Sequence, residues 1–253
     1  MIHLDTQASH YMDEINEGIL EQLNRVRSPG RDILDVGCGR AALGEAIRAR
    51  GWNVVGIEQE PDAVAVARTR LKRVIVVDLQ EAAVVAQDLA GFRFDVLVFS
   101  DVLEHVYHPL RVLQLYLPLL KPGGTLLVSV PNAVTWDNRL RWLFGEFRYS
   151  DSGIMDRTHI RFFTFKTARE LVEAAGFKIE EVDSTPQIVR AFLPLIKTIL
   201  ADREQAQDPR ALIDSKTYRS YMKFFYPVEK WLAHPLRTML AFRIVIRATR
   251  RTQ

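Results

Sequence analysis

Short apolar runs alternate along this chain with stretches whose apolar residues return every three or four positions, the pattern of a parallel sheet clad in helices. Seven runs read as strands: 33–36, 53–57, 74–77, 95–99, 125–130, 178–184 and 243–249. The middle ones are almost wholly apolar, as in Val96-Leu-Val-Phe99, which suits strands covered on both faces. The seventh alternates Arg243, Val245 and Arg247 with Ile244, Ile246 and Ala248, a period of two that predicts an edge strand. Between the runs, Met12, Ile15, Ile19, Leu20 and Leu23 mark a helix over 9–26. Pro61 opens a helix through Ala67, and Pro109 opens one over 110–120 that Pro122-Gly-Gly124 should stop. Thr167 and Glu170 have capping-box spacing, and Gly176 stands where a left-handed cap belongs. The fold class is α/β.

Two stretches fall outside this alternation, 131–159 and 186–241. Both are rich in aromatic and basic residues, and both leave the sheet where ligands of open α/β sheets bind. They read as helical cap insertions on one domain, 1–253, whose core is 28–130, 160–185 and 242–250. The second contains a helical stripe of Ile188, Phe192, Leu195, Ile196 and Ile199, then a basic segment crowded with Tyr218, Tyr221, Phe224, Phe225, Tyr226 and Trp231.

Composition narrows the class. With 253 residues, 48% hydrophobic and 26% charged, the chain can bury a full core and is not of the disordered type. The lone Cys38 excludes a disulfide framework or a cysteine-rich zinc site. No run approaches the roughly 18 apolar residues of a membrane span, and the first residues lack a signal-peptide pattern, so the expectation is a cytoplasmic protein. The net charge of +3 is uneven: from Lys216 onward there are nine Lys or Arg and a single acid, Glu229. That basic end suits peripheral contact with anionic lipid as well as it suits a solvated face. Aromatics among basic residues could also stack bases, but no nucleic-acid module accompanies them, so nucleic acid is not expected as a partner.

The chemistry concentrates at the ends of the first strands. In Ile33-Leu-Asp-Val-Gly-Cys-Gly-Arg-Ala-Ala-Leu-Gly44, Gly37 and Gly39 allow a tight strand-to-helix turn and close approach of a ligand to backbone. Such a turn alone also occurs in nicotinamide enzymes. Asp35 tips the balance, since a carboxylate two residues before the first glycine repels a pyrophosphate and attracts a cation. Glu58, closing the second strand, can accept from ribose hydroxyls, and Asp78, closing the third, can accept from an adenine amine.

Taken with Phe94-Asp-Val-Leu-Val-Phe-Ser-Asp-Val-Leu-Glu-His-Val106 and Leu120-Lys-Pro-Gly-Gly-Thr125, these residues resemble the class I S-adenosylmethionine-dependent methyltransferases. The likeness is to the subgroup with ubiquinone-biosynthesis O-methyltransferases and glycan or natural-product methyltransferases, over about residues 31 to 183. It implies a Rossmann-like, doubly wound seven-stranded sheet with its last strand antiparallel, and S-adenosyl-L-methionine as cofactor. It further implies Asp35 at the methionyl amine, Gly37, Cys38 and Gly39 under the nucleoside, and Glu58 with Gln59 at the ribose. Asp78 and Leu79 would meet the adenine, and Ser100 the methionyl group. Ala41 departs from the family, which more often has a third glycine there; a slightly tighter loop is expected.

On a helix, Asp101, Glu104 and His105 would share one face. Relatives in the ubiquinone pathway carry a similar acid-x-x-Glu-His cluster able to hold a divalent cation. Three readings stay open: His105 as general base, the trio as a magnesium site, or acids capping a helix start; no metal is counted among the expected ligands. His159 and Arg161 mark where the first insertion returns, as substrate-closing residues or as loop fixtures. Asn132 could face the same cleft or serve a turn. The function expected is O-methylation of a small-molecule, sugar or lipid-linked acceptor, with His105 or His159 as base. A nicotinamide dehydrogenase and a non-catalytic nucleoside-binding protein are the alternatives.

Overall fold

A computed structural model describes residues 15–81, 85, 87–186, 223, 224 and 226–251 of the chain. Residues 9–14 of the first helix and the second insertion's stripe 188–199, with Tyr218, Tyr221 and Phe225, lie outside the described residues. All seven expected strands are present: β1 (Asp32–Val36), β2 (Asn53–Glu58), β3 (Arg73–Val76), β4 (Phe94–Ser100), β5 (Leu120–Pro131), β6 (Phe177–Pro186) and β7 (Ala241–Arg250). They form one sheet in the order β3-β2-β1-β4-β5-β7-β6. Strands β1 to β5 are parallel, and β7 runs antiparallel to both neighbours.

The central strands are buried on both faces, and their side chains alternate between two apolar layers. Leu34, Leu97, Phe99 and Leu126 face one side, against α4 (Pro109–Tyr116) and α6 (Phe165–Ala174). Ile33, Val96, Val98 and Leu127 face the other, against α1 (Glu17–Leu23) and α2 (Ala42–Arg48), with Ala67 of α3 (Pro61–Arg70). Where α1 crosses the sheet, a Cβ on Gly18 would stand 2.7 Å from Val245 Cγ2, so this contact requires a glycine. The first insertion contributes α5 (Trp136–Leu143), and α7 (Tyr226–Ala233) and α8 (Arg237–Leu240) precede β7.

Four expectations change. β7 is not an edge strand: it lies between β5 and β6, and β3 and β6 form the edges. Its polar alternation has another cause, because Arg243 and Arg247 lie on the α1 side and find carboxylates there, Asp101 and Glu181 respectively. The Pro122-Gly-Gly124 run does not stop a helix; it forms an irregularity within β5, where 120 pairs with 94 but 125 pairs with 96. The preceding helix ends earlier, at Tyr116, followed by a 3-10 turn over Leu117–Leu119. The capping box sits three residues before the expected one: Thr164 accepts from Thr167 N and donates its own backbone N–H to Thr167 Oγ1. Gly176 does take the left-handed cap, at φ +97°.

Candidate functional site

The turn after β1 is built as its glycines require, with Gly37 at φ +70° and Gly39 at +54°. Ala41 is left-handed too, at φ 60°. A residue with a Cβ is strained there by about 1–2 kcal/mol. Its methyl is fully buried in the α1–α2 layer, which returns about 0.8 kcal/mol. The Cys38 N–H donates to Ile57 O at 2.9 Å and ties the turn to β2. Burial, then the charges of Asp35 and Glu58, push the Cys38 thiol pKa well up, so it is an unreactive packing group.

Asp35 is buried at 2% exposure, and its Oδ2 has no hydrogen-bond partner. Burial, followed by the nearby Glu58, pushes its pKa up to about 7. An unpartnered carboxylate oxygen at this depth is costly unless a donor or cation meets it. Glu58 is differently placed. Its Oε2 accepts from Gly39 N at 2.8 Å, and its Oε1 from Gln59 N at 2.8 Å and Glu60 N at 2.9 Å. Three of about four acceptor positions are thus filled by backbone amides, so Glu58 locks the glycine turn to the end of β2 and has room for one more donor. Asp78 stands two residues beyond β3, half-buried, with Oδ1 accepting from Gln80 N at 2.9 Å. Tyr116 of α4 donates to Leu79 O at 3.2 Å and fixes that turn. The parallel register of β1 with β2 therefore brings Asp35 and Glu58 near each other despite their like charge, with Asp78 beyond the end of the next strand.

At the end of β4 the expected trio does not form. Asp101 adopts φ +54°, a left-handed backbone for a residue with a side chain. Its carboxylate accepts from Arg243 Nε at 2.6 Å and from Ser129 Oγ at 3.0 Å. Ser129 Oγ accepts in turn from Asn16 Nδ2 at 2.8 Å and from Asp101 N at 3.1 Å, and Asn16 also donates to Ser100 Oγ at 3.1 Å. Glu104 and His105 follow on a single 3-10 turn, Leu103–His105, rather than on an α-helix.

Glu104 is 1% exposed, and neither carboxylate oxygen has a partner. Burial, then the charge of Asp101, hold its pKa well above the usual carboxylate range. Its backbone carbonyl accepts from Ile160 N and Arg161 N, which draws the returning loop against it. That loop places His159 beside His105, with ring centroids 4.8 Å apart and an edge-to-face angle of 71°. His105 Nδ1 lies 3.2 Å from Thr158 O and His159 Nδ1 2.9 Å from Ile154 O. A carbonyl only accepts, so each Nδ1 carries the proton and each Nε2 keeps its lone pair. Protein packed around its exposed side chain, and then His159, hold the His105 pKa below the ordinary histidine value. Glu104, His105 and His159 offer donor atoms within 4.8 Å of one another. The set brings at most one carboxylate to a divalent cation, because Asp101 is held by Arg243 and Ser129.

Asn132 does not point into the cleft. It is fully buried, and its Nδ2 donates to Thr238 O at 3.1 Å and Ala241 O at 3.0 Å. It joins the end of β5 to the start of β7. Asn132→Ala strands both carbonyls and should lower the unfolding free energy by about 2–4 kcal/mol, read in urea titrations. Arg161 is exposed and donates to Tyr107 O at 2.5 Å, bracing the loop over the turn. Sequence reasoning did not find Asn16, Ser129 or Arg243 at this edge. The polar positions in β7 were the available signal for Arg243.

A glycine turn after β1, buried acids at two successive strand ends and an antiparallel β7 define a nucleoside-binding sheet of the class I methyltransferase kind. A family model described as a methyltransferase domain matches residues 8–182, and the chain belongs to that family, the S-adenosylmethionine-dependent methyltransferases. It is 41% identical over 112 residues to the ubiquinone biosynthesis O-methyltransferase of Xanthomonas campestris, a match covering 43% of this chain and 46% of that protein. It is 29% identical over 155 residues to a probable S-adenosylmethionine-dependent methyltransferase of Mycolicibacterium smegmatis, covering 61% of this chain and 55% of that one. The chain thus spans about half the length of the curated relatives it matches. Among solved structures, a SAM-dependent methyltransferase from Archaeoglobus fulgidus superposes with a TM-score of 0.58 at 18% identity, over 91% of each chain. Family membership sets the dehydrogenase alternative aside.

Proposed function

We propose that this chain transfers a methyl group from S-adenosylmethionine to an oxygen of a small-molecule, sugar or lipid-linked acceptor, with the His105–His159 pair as base. The observation that carries this reading is the pair of rings 4.8 Å apart, each with Nδ1 committed to a carbonyl and Nε2 open. The residues at the sheet edge fit the donor: the unpartnered Asp35 oxygen suits an ammonium or sulfonium, and Glu58 has one acceptor position left for a ribose hydroxyl. Ser100, Gln59 and Leu79 stand along the same edge. The donor, when bound, supplies a methyl group already activated by its positive sulfur. What remains for the protein is alignment, exclusion of water and removal of the acceptor's proton. The exposed His105 takes that proton on Nε2, and the buried His159 holds it in orientation. The trio Asp101, Glu104 and His105 does not fit a cation, since Asp101 is spent on Arg243 and Ser129. The test is methyl transfer from labelled donor into acceptor pools, with the product identified by mass. Transfer that persists in a chelator supports the histidine base, and transfer to nitrogen or carbon only overturns the oxygen assignment.

The name of the Xanthomonas relative favours an acceptor of the quinone-pathway kind. The first insertion supports an apolar acceptor in its own way. Helix α5 turns Trp136, Leu140 and Leu143 to solvent, with Phe144 beyond it, and buries Asn138. We read 131–159 as a cap over the cleft; most of the second insertion, 186–241, lies outside the described residues. Of the basic end, Lys230, Arg243 and Arg247 are ion-paired within the protein, so less free charge faces outward than the sequence count suggests. If the chain touches a membrane, the α5 face therefore contributes more than charge does. Leu143→Glu with Phe144→Glu should reduce flotation with vesicles containing phosphatidylglycerol by about tenfold, in line with loss of two buried apolar anchors. Wild-type chain that stays at the bottom of the gradient removes the membrane contact altogether.

A further inference from the structure

The last strand, which the sequence period predicted at the sheet's edge, brings a buried cation to the ligand edge. Arg243 is 8% exposed, and its Nε donates to Asp101 Oδ2 at 2.6 Å. Its guanidinium lies over the Phe242 ring, 4.9 Å from the centroid. Its backbone N–H donates to Thr185 Oγ1 at 3.3 Å, so the residue is fixed from β6 as well. Asp101 is the left-handed residue from which the turn bearing Glu104 and His105 departs. The Asp101 carboxylate is thus drawn in at a partly buried edge, where an ionised group left without a cation is costly.

We propose that Arg243 is a positioning residue for the reaction: through its bond to Asp101 it holds the left-handed turn that presents His105 to His159, and it supplies the positive charge that meets the Asp101 carboxylate. Neither the glycine turn nor the histidines contain this function; it comes from the strand added last, next to β5. Ser129, which accepts from Asn16 at the start of α1, donates to the other carboxylate oxygen of Asp101, so the turn is gripped from α1, β5 and β7 together. The charge of Arg243 matters more than its shape. Arg243→Lys should therefore keep the arrangement, and Arg243→Met should lose it. Removing the carboxylate that Arg243 neutralises should repair the Met variant.

The word positioning rests on the histidine-base reading, so ring geometry and donor binding are measured separately. The ring carbon–proton signals of His105 and His159 are recorded by NMR in full chain labelled at histidine. S-adenosylhomocysteine affinity is measured by calorimetry. Arg243→Met is expected to shift or broaden both ring signals while the affinity stays within about twofold. Arg243→Lys and the double variant Arg243→Met with Asp101→Asn are expected to return the signals toward wild type, a rescue that a packing role would not show. Should Arg243→Met fail to fold, Arg243→Gln also removes the charge opposite Asp101 and should broaden the same signals. Ring signals that superpose on wild type in the Met or Gln variant, or a double variant no closer to wild type than the Met variant alone, overturn the assignment. Loss of nucleoside binding in the wild-type chain would instead overturn the proposed donor site and leave Arg243 standing.

Discussion

Asp35→Asn is expected to unfold at a higher temperature than the wild-type chain at pH 8, and to lose S-adenosylhomocysteine binding by at least about 100-fold. Both effects have one cause. The carboxyl is buried, one oxygen has no partner, and its pKa lies at about 7 rather than 3.8. Between those values the folded chain holds a proton that the unfolded chain has released, so stability falls as pH rises from about 4 to 7 and levels off above. The span of roughly three units corresponds to about 4 kcal/mol carried as a destabilising charge at pH 8. An amide removes the charge but leaves its own polar atoms short of partners, which costs about 1–3 kcal/mol. A net gain of about 1–3 kcal/mol remains, or several degrees in a domain of this size. The gap should narrow as the pH is lowered from 7 towards 4, because the wild-type carboxyl is then protonated in the fold. Donor binding should show the reverse trend in the wild type: affinity weakens below pH 7 by up to about tenfold per unit as the carboxylate is lost. Calorimetry and thermal unfolding at several pH values check both. Equal nucleoside affinity in Asp35→Asn and wild type would remove Asp35 from the donor site.

The sheet could be read from the sequence because each strand is a short apolar run bounded by polar turns, and that pattern is local. Its edges could not be read so well. The period of two in 243–249 describes a strand with two unlike faces, and it does not say whether the polar face meets water or a set of carboxylates. Asp101, Glu181 and Gln22 come from three distant segments, and only the assembled fold brings them to Arg243 and Arg247. The same holds at the catalytic edge. Asp35 and Glu58 were recognisable because the register of β1 with β2 fixes their neighbourhood. His105 and His159 were both candidates, yet their contact depends on a loop of more than twenty residues returning to the Glu104 carbonyl, and no spacing rule encodes that closure. Asp101 was misplaced for a local reason. A helical face assumes right-handed backbone from 101 to 105, and this residue is left-handed.

Loss of the His105 imidazole should cost the most turnover of any change near the acceptor. General-base removal of a proton contributes about 10²–10⁴ in rate, so His105→Ala is expected to transfer methyl groups at least about 100-fold more slowly with donor affinity unchanged. His159→Gln should cost less at pH 8, because the second ring sits behind the first at 8% exposure and acts on it. Its effect should grow on acidification. His159 contributes to holding the His105 pKa below the ordinary value, so without it that pKa rises and the base is protonated at a higher pH. The acid limb of the rate profile then moves upward, and the variant loses more activity at pH 6 than at pH 8. The fold follows the same sign. A histidine whose folded pKa is depressed resists protonation, so the wild type loses stability as the pH falls through the value of the unfolded chain, near 6.5. Turnover in a chelator should be unchanged, since Asp101 is spent on Arg243 and Ser129 and leaves the turn one carboxyl beside two imidazoles rather than an anionic cage. Near-normal turnover in both histidine variants would leave the acceptor's proton to solvent and reduce the pair to a loop fixture.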